Sequence, residues 1–242
     1  MKTIMITGSS RGIGRAIALK FAKDGYNLVL NCSRSHSELD TVLAEIKALG
    51  ASAIGIVADV SDYSECERMV YAALEHFGQI DILVNNVGSS YIGLFTDMKP
   101  QDLTKNLNTN LLSALNCAHL IVPQMMRRKQ GVIVNISSVW GSAGASCEVV
   151  YSSAKGGLNT FTKALAKELG PSGIRVNAIS CGAIKTSMNA CLSAQETADL
   201  VEQIPLSRFG TPEEVAEVAA FLSSSSASYI TGQIIGADGG FI

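Results

Sequence analysis

Seven short runs rich in valine and isoleucine punctuate the chain, separated by segments long enough to be helices, and this alternation limits the fold more than any other feature. The runs are Thr3 to Thr7, Asn27 to Asn31, Ser52 to Ala58, Asp81 to Asn86, Gly131 to Ser137, Ile174 to Ser180 and Gly232 to Ala237. Parallel strands need a crossover between them, usually a helix, so the pattern predicts an α/β fold. The expected architecture is a single domain over residues 1–242, a doubly wound parallel sheet of seven strands with helices on both faces. Charged residues make up only 17% of the chain and there are 22 glycines, which suits a sheet covered on both sides.

Ligands of such sheets bind beyond the carboxyl ends of the strands. Directly after the first run the chain reads TGSSRGIG, Thr7 to Gly14, with glycines at 8, 12 and 14. Glycines at a strand-to-helix turn let backbone approach a pyrophosphate, and the helix N-terminus offers unpaired N–H groups to it. An NAD site usually carries an acidic residue about 20 positions beyond this turn. The second strand here ends LNCSRS, with Ser33 and Arg34 at that place and no carboxylate from there until Glu38, and Arg11 sits inside the turn. Guanidinium groups pair with a 2′-phosphate that a carboxylate would repel, so the expected cofactor is NADP(H).

Further along, YSSAK places Tyr151 four residues before Lys155, on one face of a helix. A free phenol has a pKa of about 10. An ammonium about 4 Å away contributes roughly 4 kcal/mol toward the phenolate at an effective dielectric of about 20. That is about what a shift to neutrality requires, so the pair is expected to work as a general acid–base. Ser138 lies thirteen residues upstream of Tyr151; Ser137 competes with it for the same role, and the interval favours Ser138.

The G-x-x-x-G-x-G turn, NNVG at Asn85 to Gly88, TNLLS at Thr109 to Ser113 and YSSAK occur in this order, and together they resemble the short-chain dehydrogenase/reductase family over essentially the whole chain. The resemblance implies a Rossmann-type fold and a nicotinamide-dependent oxidoreductase. It implies catalytic roles for Asn110, Ser138, Tyr151 and Lys155: Tyr151 the proton donor to a carbonyl, Ser138 its hydrogen-bond partner, Lys155 the ribose-binding and tuning cation, Asn110 the holder of a relay water. It also implies cofactor contacts from Gly8, Ser10, Arg11, Gly12, Ile13, Gly14, Ser33, Arg34, Asp59, Val60, Asn86, Gly88, Tyr151, Lys155, Ile184 and Thr186. Two positions depart from the family pattern. Cys181 stands where a proline is usual, next to Gly182, and Val87 stands for an alanine. A buried, inert thiol is the expectation for Cys181.

Within the family, GIRVNAIS and the closing ITGQIIGADGG are most similar to the branch that reduces 3-oxoacyl thioesters on acyl carrier protein in fatty acid synthesis. Reduction of another ketone, or oxidation of a secondary alcohol of steroid, sugar or diketone type, is the alternative, with Trp140 a candidate wall of the pocket. A third reading is a non-catalytic NADP(H) sensor, which the presence of both Tyr151 and Lys155 disfavours. Arg127 to Lys129 can either receive an acidic carrier protein or complement a helix C-terminus. Ile184 to Pro205 reads as a helical lid over substrate or as a surface excursion. Apolar residues around much of Leu111 to Met126 and Gly156 to Leu169 exceed one buried stripe, and relatives pair such helices, so a homotetramer is expected.

The net charge of −2 gives no pull toward nucleic acid or anionic membrane. Six cysteines without C-x-x-C spacing and only three histidines suggest no metal site and reduced thiols. No signal peptide and no stretch of about 20 apolar residues is present, so the cytoplasm is the expected location.

Overall fold

The computed structural model describes residues 1–189 and 192–242. Cys191, and the part of the expected lid at 190 and 191, lie outside the described residues. Seven strands form one parallel sheet: β1 (Thr3–Ile6), β2 (Asn27–Cys32), β3 (Ala53–Val57), β4 (Ile82–Asn85), β5 (Gly131–Ser138), β6 (Ile174–Cys181) and β7 (Ile234–Ala237). Their order is β3-β2-β1-β4-β5-β6-β7. The chain reverses direction of winding between β1 and β4, where Ile4, Met5 and Ile6 pair with Ile82, Leu83 and Val84. A crevice opens at such a switch point, and both glycine turn and NNVG leave the sheet there.

The helices are α1 (Gly12–Lys23), α2 (His36–Ala48), α3 (Tyr63–Phe77), α4 (Pro100–Leu107), α5 (Ser113–Arg128), α6 (Trp140–Ala143), α7 (Val149–Leu169), α8 (Ala194–Glu202) and α9 (Pro212–Ser223). Strand alternation sorts their packing. Ile4, Ile6, Leu28 and Leu30 point to the face covered by Ile17 and Phe21 of α1, Ile46 of α2 and Leu222 of α9. Met5 and Val29 point the other way, onto Met69 of α3, Ile121 of α5 and Leu169 of α7. Each such side chain, fully removed from water, contributes about 1.5–3 kcal/mol. Both faces being apolar is why these strands read as continuous hydrophobic runs.

Strand ends differ from the sequence expectation by one or two residues. β1 stops at Ile6 because Thr7 already turns, its hydroxyl receiving the Asn86 N–H at 3.0 Å. β5 and β6 each run one residue further, since Ser138 and Cys181 are still paired in the ladder. Those two residues therefore stand side by side at the carboxyl edge of the sheet. β7 begins at Ile234, after Gly232 takes a left-handed φ of 72°. The segment expected as a lid contains a 3-10 turn, Ser187–Asn189, and α8, which a Ser193–Glu196 capping box starts.

Candidate active site

The first βα turn is held by two asparagines. Asn86 donates from Nδ2 to the carbonyls of Thr7 (3.0 Å) and Gly8 (2.9 Å). Across the turn, the Gly8 N–H reaches Asn31 Oδ1 at 3.3 Å, while Asn31 Nδ2 donates to Ala58 O at 3.0 Å. Gly14 is obligatory, because a Cβ there would lie 2.6 Å from Asn86 Nδ2 and collide with the Gly8 carbonyl. Asn86, expected as a cofactor contact, has its amide engaged in this clamp. A Cβ on Gly8 would lie 3.1 Å from Cγ2 of Val87, so the extra branch leaves no room for a side chain at Gly8.

No side chain caps the N-terminus of α1 and its first turn holds no acidic residue. The free N–H groups and the helix dipole there suit a phosphate. A cleft of about 770 Å³ runs past it, lined by Arg11, Gly12, Arg15, Glu38, Lys185 and Thr186 among others. Thr186 stands over the turn: a Cβ on Gly12 would lie 3.4 Å from its Cγ2. Ile184, expected beside it at the cofactor, is 4% exposed with its side chain packed into the core, and its carbonyl accepts from Asn189 Nδ2 at 2.8 Å, so any cofactor contact is through its backbone N–H. Ile13 is half-buried at the start of α1. These features fit a dinucleotide.

Ser33 and Arg34 are exposed immediately after β2. Arg11 meets Glu38 Oε1 at 3.5 Å, and Ser10 Oγ donates to Glu38 Oε2 at 3.3 Å. The first carboxylate after β2 thus folds back onto two expected cofactor residues. Asp59 is exposed beyond β3 with Oδ1 accepting from the Ser61 N–H and hydroxyl, and Val60 is buried.

The reacting end gathers Asn110, Ser138, Tyr151 and Lys155, each buried. Lys155 Nζ donates to the Ile136 carbonyl at 2.8 Å and lies 5.7 Å from the centre of the Tyr151 ring. Asn110 sits in a π-helical turn, Asn108–Leu112, between α4 and α5. Such wide turns recur at functional sites. Its Oδ1 accepts from the Ser89 N–H at 2.9 Å, and its Nδ2 donates to Ser89 O and to Asn106. A Cβ on Gly88 would lie 3.0 Å from Asn110 Oδ1 and 3.4 Å from Lys155 Nζ. The asparagine and the lysine therefore converge on Gly88. Ser137 donates to Asn159 Oδ1 at 2.7 Å, which leaves Ser138 as the serine available to a ligand.

Burial dominates the electrostatics. It pushes the Tyr151 phenol well above its usual value; the Ser138 hydroxyl opposes this, and Glu148 and Cys181 add to it. The same burial brings the Lys155 ammonium down to about 8, against the pull of Cys181. The expected lowering of the phenol by the lysine is thus not what the fold produces. The four-residue spacing fixed direction along the helix but carried no measure of desolvation, which here exceeds the ammonium's field. Burial also pushes the Cys181 thiol up to about 12, with Lys155 opposing.

Other expectations resolve locally. Arg128 is committed to Asp81 Oδ1 at 2.8 Å and to the Ile80 carbonyl, so only Arg127 and Lys129 of that trio are exposed. Trp140 stacks edge-on against Phe241, 5.6 Å between centroids. Asn31 and Lys185 escape the sequence reading, as does the contact of Glu38 with Arg11 and Ser10; an asparagine inside an otherwise apolar strand was the available signal. Among the described residues no cluster of three or more His, Cys, Asp or Glu could hold a metal ion, and no helix is long and apolar enough to cross a membrane.

The sequence model of the family described as enoyl-(acyl carrier protein) reductase matches residues 8–242. The 3-oxoacyl-[acyl-carrier-protein] reductase FabG of Staphylococcus aureus is 41% identical over 239 residues, spanning 99% of this chain and 97% of its own. Among solved structures, a 3-oxoacyl-[acyl-carrier protein] reductase from Brucella melitensis superposes with a TM-score of 0.92 at 34% identity, covering 100% of this chain and 91% of the other. An Agrobacterium tumefaciens protein provisionally described as a gluconate dehydrogenase gives 0.95 at 34% identity, covering 99% and 95%.

Proposed function

Because this chain belongs to the short-chain dehydrogenase/reductase family, we propose that it reduces the ketone of a 3-oxoacyl thioester, carried on acyl carrier protein, to the 3-hydroxyacyl form with NADPH in fatty acid synthesis. It is an oxidoreductase acting between C=O and CH–OH. The observation that carries the reading is the convergence of a buried Tyr151, Ser138 and Lys155 beside a clamped glycine turn. Near-full-length identity to a 3-oxoacyl-[acyl-carrier-protein] reductase supports the choice of substrate.

When bound, the dinucleotide supplies the hydride. The protein's part is placement and proton handling. Ser138 and Tyr151 hydrogen-bond the substrate oxygen, and Tyr151, kept protonated by burial, gives up its proton as negative charge develops there. Lys155 keeps an ammonium behind the phenol and grips the ribose. Asn110 holds the π-helical turn against Ser89 and positions a water for proton return. The uncapped start of α1, with Gly8, Gly12, Ile13 and Gly14, takes the pyrophosphate, while Thr186 and the backbone of Ile184 close over the nicotinamide end. Asp59, Val60 and Gly88 border the adenosine.

Preference for NADPH rests on Ser33, Arg34 and Arg11, with a 2′-phosphate displacing Glu38 from Arg11. Residues 184–205 act as the substrate lid, Arg127 and Lys129 receive the acidic carrier protein, and the enzyme works as a homotetramer in the cytoplasm through the apolar faces of α5 and α7. The likeness to a protein provisionally described as a gluconate dehydrogenase favours one second reading, a reductase of a sugar-type ketone. The deciding experiment is NADPH oxidation against acetoacetyl and longer 3-oxoacyl thioesters, simple ketones and sugar acids, with NADH in parallel. Strong ketone turnover without thioester turnover rejects the carrier-protein substrate.

A further inference from the structure

Glu148 has no part in the roles assigned above, yet the fold fixes its carboxylate at the rim of the site. It immediately precedes α7, three residues before Tyr151, and accepts a hydrogen bond from the Ser90 hydroxyl. Ser90 belongs to the loop that starts at Gly88, against which Asn110 and Lys155 pack. The preceding N–H, of Ser89, is bound to Asn110 Oδ1. A second bridge follows, from the Gly93 N–H to the Cys147 carbonyl at 2.9 Å, with Cys147 in the left-handed region at φ 63°. Contacts thus close a ring from Lys155 through Gly88 and Ser90 to Glu148, and back along α7 to Tyr151. The groups acting on the phenol come from every side: Ser138 from the end of β5, Cys181 from the end of β6, Lys155 from one turn on, and Glu148. Glu148 is the one carboxylate among them.

A ketone whose oxygen reaches Tyr151 and Ser138 must place its α-substituents inside that ring. In a 3-oxo acid the carboxylate is two bonds from the ketone carbon, and the half-buried carboxylate of Glu148, whose charge already acts on the phenol, repels a like charge brought to that phenol. The ammonium of Lys155 is 3% exposed and already bound to Ile136 O. We propose that Glu148, tethered by Ser90, is a specificity-determining charge filter that rejects ketones bearing a carboxylate next to the reacting group and admits neutral ones, the thioester rather than the free 3-oxo acid. This rests on the ketone-reductase reading given above and narrows its substrate class.

The test compares wild type with Glu148→Gln on three NADPH-dependent substrates: acetoacetate, its neutral ethyl ester, and the neutral acetoacetyl-N-acetylcysteamine thioester. The substitution is expected to raise the ratio of kcat/KM for acetoacetate to that for the ethyl ester by about tenfold or more, chiefly through KM. A general folding defect lowers both and leaves the ratio. Ser90→Ala, which releases the carboxylate to turn toward water, is expected to move the same ratio in the same direction by about threefold. A second readout is the pH dependence of 3-hydroxybutyryl thioester oxidation. Removing the anion eases phenolate formation, so the alkaline rise moves to lower pH in Glu148→Gln. An unchanged ratio in both variants overturns the filter. Failure of the substrate reading looks different: wild type then discriminates the ester from the acid but does not turn over the thioester.

Discussion

Lys155 Nζ donates to the carbonyl oxygen of Ile136 at 2.8 Å, tying a lysine that is only 3% exposed to the strand that ends two residues later in Ser138. The bond fixes the ammonium but does not repay its desolvation, since the pKa falls from 10.5 to about 8. Between those values the unfolded chain binds more protons than the folded one, so stability from this group rises with pH there and is lowest at neutrality. The shift corresponds to roughly 3 kcal/mol of cost at pH 7, part of which the Ile136 bond offsets. Lys155→Met is therefore expected to raise the melting temperature at pH 7, with a gain that shrinks as pH approaches 10, while abolishing reduction. Differential scanning calorimetry across that range checks it, and a lower melting temperature at pH 7 refutes the account.

Tyr151→Phe keeps the ring and removes the proton. Loss of a general acid typically costs about 10² to 10⁴ in rate, so kcat should fall by at least about a hundredfold with little change in KM. A loss smaller than tenfold would sink the donor role. In the oxidative direction the phenol must first ionise, and its raised pKa means that kcat/KM for 3-hydroxyacyl oxidation climbs through the alkaline range instead of levelling near neutrality.

Asn86→Ala removes two hydrogen bonds to the carbonyls of Thr7 and Gly8. With part-buried acceptors left unpaired the cost is about 1 kcal/mol, and the loosened turn should weaken NADPH binding by about tenfold or more. Calorimetric titration reads the affinity and thermal unfolding reads the stability; affinity unchanged while stability drops would confine Asn86 to the fold.

Glu38 neutralises Arg11 at 3.5 Å. Glu38→Gln frees that guanidinium and should tighten NADPH relative to NADH, whereas Arg34→Ala should loosen NADPH by about tenfold with NADH little affected. Parallel KM values for the two cofactors decide the matter, and equal effects on both would remove these residues from 2′-phosphate recognition.

The Cys181 thiol, raised to about 12 by burial, carries almost no thiolate at neutral pH. Iodoacetamide at pH 7 should leave it unmodified while half-buried Cys147 reacts. Peptide mapping that finds Cys181 labelled first would contradict its burial.

Much of this site was legible because local periodicity encodes it. The spacing of Tyr151 and Lys155 follows from the helical repeat, and Gly14 from a turn in which any Cβ collides with the Gly8 carbonyl. The apolar strands announced a doubly covered sheet for the same reason. What stayed hidden are partnerships between distant segments: Arg128 with Asp81, Glu38 with Arg11, Ser90 with Glu148. Each depends on which elements the topology brings together. The direction of the Tyr151 shift was hidden too, because it reflects how much protein surrounds the ring, a quantity no single spacing records.

The wide turn at Asn108–Leu112 carries one residue more than a regular helix would need. Each residue turns an α-helix by about 100°. Deleting one would heal the turn and put α4 and α5 out of phase: with Asn110 kept beside Gly88, Cys117 and Ile121 would rotate off the core, and with those kept, Asn110 would swing away from Lys155. The extra residue thus works as a phase shifter, letting one continuous rod serve two separate faces.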